Sequence, residues 1–207
     1  MPLVIVDSGT SNLHSVKKAL QKLGADAIVS RDKTELMSAS GIILPGVGSF
    51  DSAMQTIRQN GLEETLLQLA AINKPFLGIC LGLQILFDSS EEGKEKGLGI
   101  ISGTVKKFKF TGMMSNLKVP HMGWNQIQIA KQTPLLDGIE EGSQVYFVHS
   151  YYVEPKDKKV IQTTTDYGGA FTSSINKGNL YATQFHLEKS GDVGLKILSN
   201  FVRMVKK

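Results

Sequence analysis

The segment Lys74-Pro75-Phe76-Leu77-Gly78-Ile79-Cys80-Leu81-Gly82-Leu83-Gln84-Ile85-Leu86-Phe87 limits what this chain can become. Its first half is a continuous apolar run after a proline, as expected of a strand covered on both faces, and its second half reads as an apolar helix. Between them stands the only cysteine of the chain, Cys80, with glycines at 78 and 82. Gly-x-Cys-x-Gly is the pattern of a nucleophile elbow, a strained strand-to-helix turn that lifts a reactive side chain above the edge of a sheet. Glycines flank such a turn because neighbouring backbone comes too close for a Cβ atom. A sulfur held there meets the N-terminus of the helix, whose dipole favours thiolate, and the N–H of Leu81 is available to an oxyanion. A lone cysteine in an apolar run is as a rule an inert core residue. The paired glycines and residues far downstream distinguish the two cases.

The rest of the first half alternates strands and helices. Leu3–Val6 is a short apolar run followed by the polar turn Asp7-Ser8-Gly9-Thr10-Ser11-Asn12, where Ser11 or Asn12 can cap a helix. That helix carries Leu13, Val16, Ala19, Leu20 and Leu23 on one stripe and stops at Gly24. A strand at 27–29, a short helix at 34–39, a strand at 41–44 and helices at 50–60 and 62–72 follow. This order predicts an α/β fold with a largely parallel sheet. In such sheets ligands bind outside the carboxyl ends of the strands, which puts Gly46-Val47-Gly48 and Cys80 on one edge.

From Gly97 onward the pattern is of strands joined by Gly-, Asn- and Asp-rich turns, at 99–110, 125–129, 144–148, 160–165, 170–175 and 180–185. Antiparallel strands added to the edge of the sheet account for it. A closing helix over 191–205 shows the stripe Val193, Ile197, Leu198, Phe201 and Val205. At 207 residues, without repeat or linker, the chain fits a single domain over 1–207.

Composition narrows the function. A net charge of +4, with lysines spread out and no interleaved aromatics, points to a solvated face and to no nucleic-acid partner. No apolar run is long enough for a membrane span, and the N-terminus opens on a strand, not on a signal segment. One cysteine makes no internal disulfide, so a cytoplasmic location is expected.

A catalytic thiolate needs a base, and the base an orienting group. Of the four histidines, His14 lies in the first helix, facing solvent, and His121 and His149 stand at strand edges. His186 differs, because Gln184-Phe185-His186-Leu187-Glu188 places a carboxylate two residues on, the same face in an extended chain. Glu188 can then hold one tautomer of His186, although a buried, self-satisfied His–Glu pair reads equally well from these residues alone. Neither Cys-x-x-Cys nor His-Glu-x-x-His occurs, so no metal site is expected, and the order nucleophile, His, Glu departs from that of a Cys-bearing α/β-hydrolase.

Gly78-Ile79-Cys80-Leu81-Gly82-Leu83-Gln84 together with Gln184-Phe185-His186-Leu187-Glu188 resembles the class I, triad-type glutamine amidotransferases. Leu44-Pro45-Gly46-Val47-Gly48, Pro120-His121-Met122-Gly123-Trp124-Asn125 and Tyr146-Phe147-Val148-His149-Ser150-Tyr151 are similar to stretches in the glutaminase subunits of imidazole glycerol phosphate synthases, and the resemblance runs nearly end to end. It implies a three-layer, flavodoxin-like fold and no cofactor. It implies Cys80, His186 and Glu188 as the catalytic triad and the N–H groups of Val47 and Leu81 as oxyanion donors. Gly48, Gln84, Ser150 and Tyr151 would line the pocket for glutamine. The implied partner is a separate (β/α)₈-barrel cyclase subunit, bound as a heterodimer. It uses the released ammonia to make imidazole glycerol phosphate and aminoimidazole-carboxamide ribonucleotide in histidine biosynthesis. Asn12, Trp124, Tyr146 and Lys189 are the candidates for the partner face, although residue type alone would assign Trp124 and Tyr146 to core packing.

Two departures from the family pattern stand out. Leu187 replaces the usual proline between His and Glu, which leaves φ open and adds an N–H. The loop 7–12 is less glycine-rich than in many members. Two alternatives stay open: a related glutaminase that supplies ammonia to a sugar amidotransferase of surface polysaccharide synthesis, and a non-catalytic regulatory or interaction module of the same fold.

Overall fold

The computed structural model of the chain describes residues 1–9, 12–112 and 116–206. The first half contains β1 (Leu3–Val6), α1 (Leu13–Lys22), β2 (Ala27–Ser30), α2 (Lys33–Ser38), β3 (Gly41–Gly46), α3 (Phe50–Gln59), α4 (Leu62–Ala71), β4 (Phe76–Cys80) and α5 (Leu81–Gln84). Then come the short β5 (Ser89–Ser90), β6 (Gly103–Lys107), β7 (His121–Gln126), β8 (Gln128–Ile129), β9 (Gln144–His149) and β10 (Tyr151–Pro155). β11 (Ile161–Asp166), β12 (Ala170–Lys177), β13 (Leu180–Thr183) and α6 (Gly191–Val205) complete the chain.

The main sheet runs β2-β1-β3-β4-β13-β12-β10-β6-β5. The first five of these are parallel, in the order of a flavodoxin-like sheet. Strand burial explains this: β1, β3, β4 and β13 are buried at every position, so they occupy the interior of the sheet. Side-chain alternation divides the core. Val4, Ile42 and Leu44 meet Leu36, Met54 and Leu66 of α2, α3 and α4 on one face. Ile5, Ile43 and Ile79 meet Val16, Leu20, Leu198 and Phe201 of α1 and α6 on the other. The result is the three-layer α/β architecture expected. None of the described helices is long and apolar enough to cross a membrane.

Local signals set the helix ends. Asn12 Oδ1 accepts the N–H of Ser15 at 3.4 Å and so caps α1, while Ser11, the other capping candidate, and Thr10 lie outside the described residues. Ser49 caps α3 in the same way, its Oγ accepting from Ser52 N–H at 3.4 Å.

The second half departs from expectation in three places. β13 is not an added antiparallel strand: it pairs in parallel with β4, Leu180 to Phe76 through Thr183 to Ile79, and is the fifth strand of the parallel core. β7 begins at His121, which had been placed at a strand edge, and pairs with β9 as a separate antiparallel ribbon, whereas the strand drawn from the sequence covered 125–129. β10 fills a place in the main sheet between β12 and β6 that no sequence signal marked.

Candidate active site

Cys80 ends β4 with φ +56° and ψ −110°, a region that non-glycine residues seldom occupy. Such a conformation costs on the order of 1–3 kcal/mol and persists only where the surroundings impose it. Here three glycines interlock around the turn. A Cβ on Gly46 would lie 2.9 Å from Leu81 Cβ, one on Gly78 would lie 2.8 Å from the Gly82 carbonyl oxygen, and one on Gly82 would lie 1.9 Å from the Leu44 oxygen. The elbow exists because these backbones touch. The helix after it is shorter than the sequence suggests. α5 is a single turn, and the chain leaves it at Ile85, so little helix dipole is available to the sulfur. Activation of Cys80 therefore falls mainly to its side-chain neighbours.

His186 and Glu188 stand among those neighbours. β13 stops at Thr183, so the pair is not held by extended chain as expected. His186 instead caps the 3₁₀ turn Leu187–Lys189, and the turn brings its Nδ1 to 2.8 Å from Glu188 Oε1. Leu187, where the family pattern led to an expectation of proline, is buried in that turn and leaves the contact intact. Both side chains are almost fully buried, and Glu188 Oε2 has no hydrogen-bond partner among the described residues. Burial alone would lower the pKa of His186, but the neighbouring Cys80 and the Glu188 carboxylate override it and raise it to about 10. An imidazolium beside Cys80 stabilises the thiolate. The His186 backbone is tied to β9: its N–H donates to Tyr146 C=O at 3.0 Å, and Ser190 Oγ donates to its carbonyl at 2.6 Å.

Cys80 and His186 open onto a cavity of about 350 Å³ that also includes Val47, Gly48, Leu81, Gln84, Ser150, Tyr151 and Lys189. All the residues expected to form the oxyanion site and the glutamine pocket are thus brought together. The β3–β4 ladder ends at the pair Gly46–Cys80, so Val47 and Leu81 leave the sheet side by side. A larger groove of about 580 Å³ runs along Pro134 and Arg203, but there Arg203 is already paired with Asp137. Other residues of the lining had been given no role in the cavity by the sequence. Glu92, whose Oε2 accepts the Phe50 N–H at 2.7 Å, brings a carboxylate into the wall suited to an ammonium group. His149 lines the cavity from the end of β9. Pro120 joins it just before β7.

Of the remaining candidates, Trp124, Tyr146 and Lys189 cluster beside this cavity. Trp124 is 54% exposed, not a core residue, and meets half-buried Tyr146 edge-on with ring centroids 6.1 Å apart. Lys189 Nζ lies 6.0 Å from the Tyr146 ring centroid, and Met122 is exposed on the same strand as Trp124. Asn12 is used as the α1 cap, on a helix that packs against the 187–189 turn.

His121 and His149 form a buried pair, Nδ1 to Nε2 at 2.9 Å, and both remain neutral. Burial lowers His121 to about 4, and burial together with the nearby His121 and His186 lowers His149 to about 3. Both values lie below the unfolded value of about 6.5, so as pH falls from there towards 4 the unfolded chain takes up protons that the folded chain refuses. Stability from this pair is present above about pH 6.5 and is lost on acidification. His186 has the opposite sign: its contribution is full below about 6.5 and is lost only as pH rises through about 10. The thermal midpoint, followed by circular dichroism, is therefore expected to fall from pH 7 to pH 5, and to fall less steeply in a His149→Gln variant. Equal slopes in the two proteins would place the acid sensitivity elsewhere.

A strained cysteine elbow facing a buried His–Glu pair on a flavodoxin-like sheet has the parts of a thiol-based acyl-transfer site. The family described as "Glutamine amidotransferase class-I" matches residues 4–205, and the chain belongs to it. Among curated proteins it is 48% identical to the imidazole glycerol phosphate synthase subunit HisH of Geobacillus thermodenitrificans, over 97% of this chain and 95% of that one. It is 51% identical to the subunit of the same name from Trichodesmium erythraeum, over 98% and 94% of the two chains. Solved structures of PurLQS from Thermotoga maritima (TM-score 0.76, 18% identity, 98% of each chain) and of a glutamine amidotransferase (TM-score 0.75, 18% identity, 99% of each chain) share the fold.

Proposed function

We propose that this chain is the glutaminase subunit of an imidazole glycerol phosphate synthase, acting in histidine biosynthesis with a cyclase subunit. The observation that carries the proposal is the Cys80 elbow facing His186, itself held by Glu188 at 2.8 Å. The Cys80 thiolate attacks the side-chain carbonyl carbon of glutamine, and the N–H groups of Leu81 and Val47 receive the oxyanion. His186 gives its Nε2 proton to the departing nitrogen, the C–N bond breaks, and ammonia leaves a γ-glutamyl thioester on Cys80. Neutral His186 then takes a proton from water, hydroxide adds to the thioester, and glutamate departs as the thiolate re-forms beside the imidazolium. Glu188 keeps His186 Nε2 directed at the reacting atoms through both halves.

Gly48, Gln84, Ser150 and Tyr151 enclose the substrate, and Glu92 faces its α-ammonium group. Ammonia set free in water would be wasted, and the platform of Trp124, Tyr146 and Lys189 beside the cavity is where the cyclase docks, with Asn12 at its margin. Exposed Met122 and Trp124 on one strand suit a protein partner. The whole chain acts as one amidotransferase unit, with the cytoplasm as the expected location given its single free thiol.

Complementation tests the assignment of the partner. Expressed in a histidine auxotroph lacking its own glutaminase subunit, the chain is expected to restore growth without histidine, and a Cys80→Ala variant is expected not to. Failure of a well-expressed wild-type chain, together with co-purification of a sugar amidotransferase, would reassign it to surface polysaccharide synthesis.

A further inference from the structure

The cavity wall carries a chain of hydrogen bonds that the reaction above leaves unused. Two backbone carbonyls, which can only accept, fix its direction throughout. The Tyr151 carbonyl is reached by a terminal atom of the Gln84 side chain at 3.0 Å and by His149 Nδ1 at 2.8 Å. The Gln84 atom is therefore its amide nitrogen, so the Gln184 atom it also meets, at 3.0 Å, is the carbonyl Oε1. The remaining end of Gln184, Nε2, lies 3.6 Å from Cys80 Sγ. On the other side, His149 carries its proton on Nδ1 and accepts from His121 Nδ1 at 2.9 Å through Nε2. His121 Nε2 accepts in turn from Asn125 Nδ2 at 3.2 Å, and that nitrogen is fixed by the Asp166 carbonyl at 2.9 Å. Gln184 is fully buried, and turning its amide over would set two donors against one another at Gln84.

Resting on Cys80 as the nucleophile, we propose that Gln184 is a positioning residue for it: its amide donates to the Cys80 sulfur and favours the thiolate. Gln84 and the Tyr151 carbonyl lock that orientation. A donor aimed at sulfur is worth more to the anion than to the thiol, which offers only a weak acceptor. With only one helical turn after the elbow, the amide supplies part of what a longer helix N-terminus would have supplied. The neutral His149–His121 pair holds the Tyr151 carbonyl from behind without adding a charge beneath the active site. The charged or titratable groups facing the sulfur are His186, backed by Glu188, and Lys189 after β13, Glu92 after β5, His149 of β9 and Tyr151 of β10.

The pH dependence of Cys80 alkylation by iodoacetamide in the full chain tests this, since it reports thiolate whatever amide the enzyme accepts. Gln184→Met, similar in size and without a donor, is expected to raise the midpoint by about one pH unit, a tenfold lower rate on its acid side. Gln184→Glu should raise it further, and Gln84→Met should shift it in the same direction by less, with Gln184 itself intact. Melting curves establish that each variant is folded. In the unsubstituted chain, the Gln184 side-chain amide resonance is expected to move through the Cys80 titration. A wild-type midpoint in folded Gln184→Met, or an amide resonance indifferent to Cys80 ionisation, overturns the proposal. Shifted profiles in an enzyme that does not hydrolyse glutamine would uphold the donor and overturn the glutaminase assignment instead.

Discussion

Cys80→Ser is expected to abolish glutamine-dependent synthesis by the assembled enzyme while leaving synthesis from added ammonium salts unchanged. The serine hydroxyl keeps the elbow, since the backbone strain at φ +56° belongs to the turn and not to the sulfur. What is lost is the anion. An imidazolium raised to about 10 stabilises a thiolate, but a serine alkoxide lies far out of its reach, and the Gln184 amide then meets a neutral hydroxyl in place of an anion. Loss of a triad nucleophile costs on the order of 10⁴–10⁶ in turnover. Ammonia-driven synthesis needs none of these groups and should stay within about twofold of wild type, well inside what 1 kcal/mol would change. The two assays, run on the same complex with the same acceptor, separate nucleophile loss from failure to dock. Glutamine turnover within tenfold of wild type in the variant would remove Cys80 from the mechanism.

The elbow was legible because its causes are local. A buried apolar strand, a cysteine and two glycines lie in one short stretch, and the parallel core announces itself by β1 and β3, whose continuous apolar runs leave few alternatives. His186 and Glu188 were legible for the same reason, though the geometry that joins them is a 3₁₀ turn and not the strand expected. β7 was legible only in part, because its pattern is inverted. His121 is buried while Met122 and Trp124 face outward, so apolar periodicity marks the wrong face of the ribbon. Its buried His121 is satisfied by His149 of β9 and by Asn125 of its own strand, pairings that do not appear in the periodicity of either strand alone. Gln184 and Gln84 escaped notice as a pair because they stand 100 residues apart and meet only after β13 docks beside β4. Parallel pairing of β13 was itself hidden, since a short apolar strand carries no mark of its direction. What the sequence conceals is thus mostly polar pairing between distant strands, and that pairing is what surrounds the sulfur.

Gly82→Ala should be the most damaging single-methyl change in the chain. Its Cβ would lie 1.9 Å from the Leu44 carbonyl oxygen and 3.0 Å from the Leu44 carbonyl carbon, both backbone atoms of a strand paired on each side. Neither can yield without moving β3, and α5 can retreat only by carrying Cys80 with it. Overpacking of this kind costs about 3 kcal/mol or more, a fall of about 10 °C in thermal midpoint for a chain of this size. Activity should fall further than stability, because a shift of about 1 Å at the nucleophile costs on the order of 10²-fold by itself. Gly24→Ala is the control. Gly24, unlike Gly82, has positive φ, at +63°, but a Cβ there would meet nothing within 4 Å, so only the backbone penalty of about 1 kcal/mol applies. Comparing the two variants by thermal melt and by glutaminase rate therefore separates loss of glycine freedom from collision at the elbow. A Gly82→Ala protein that melts and turns over like Gly24→Ala would mean that the close approach of β3 to α5 is not what holds Cys80 in place.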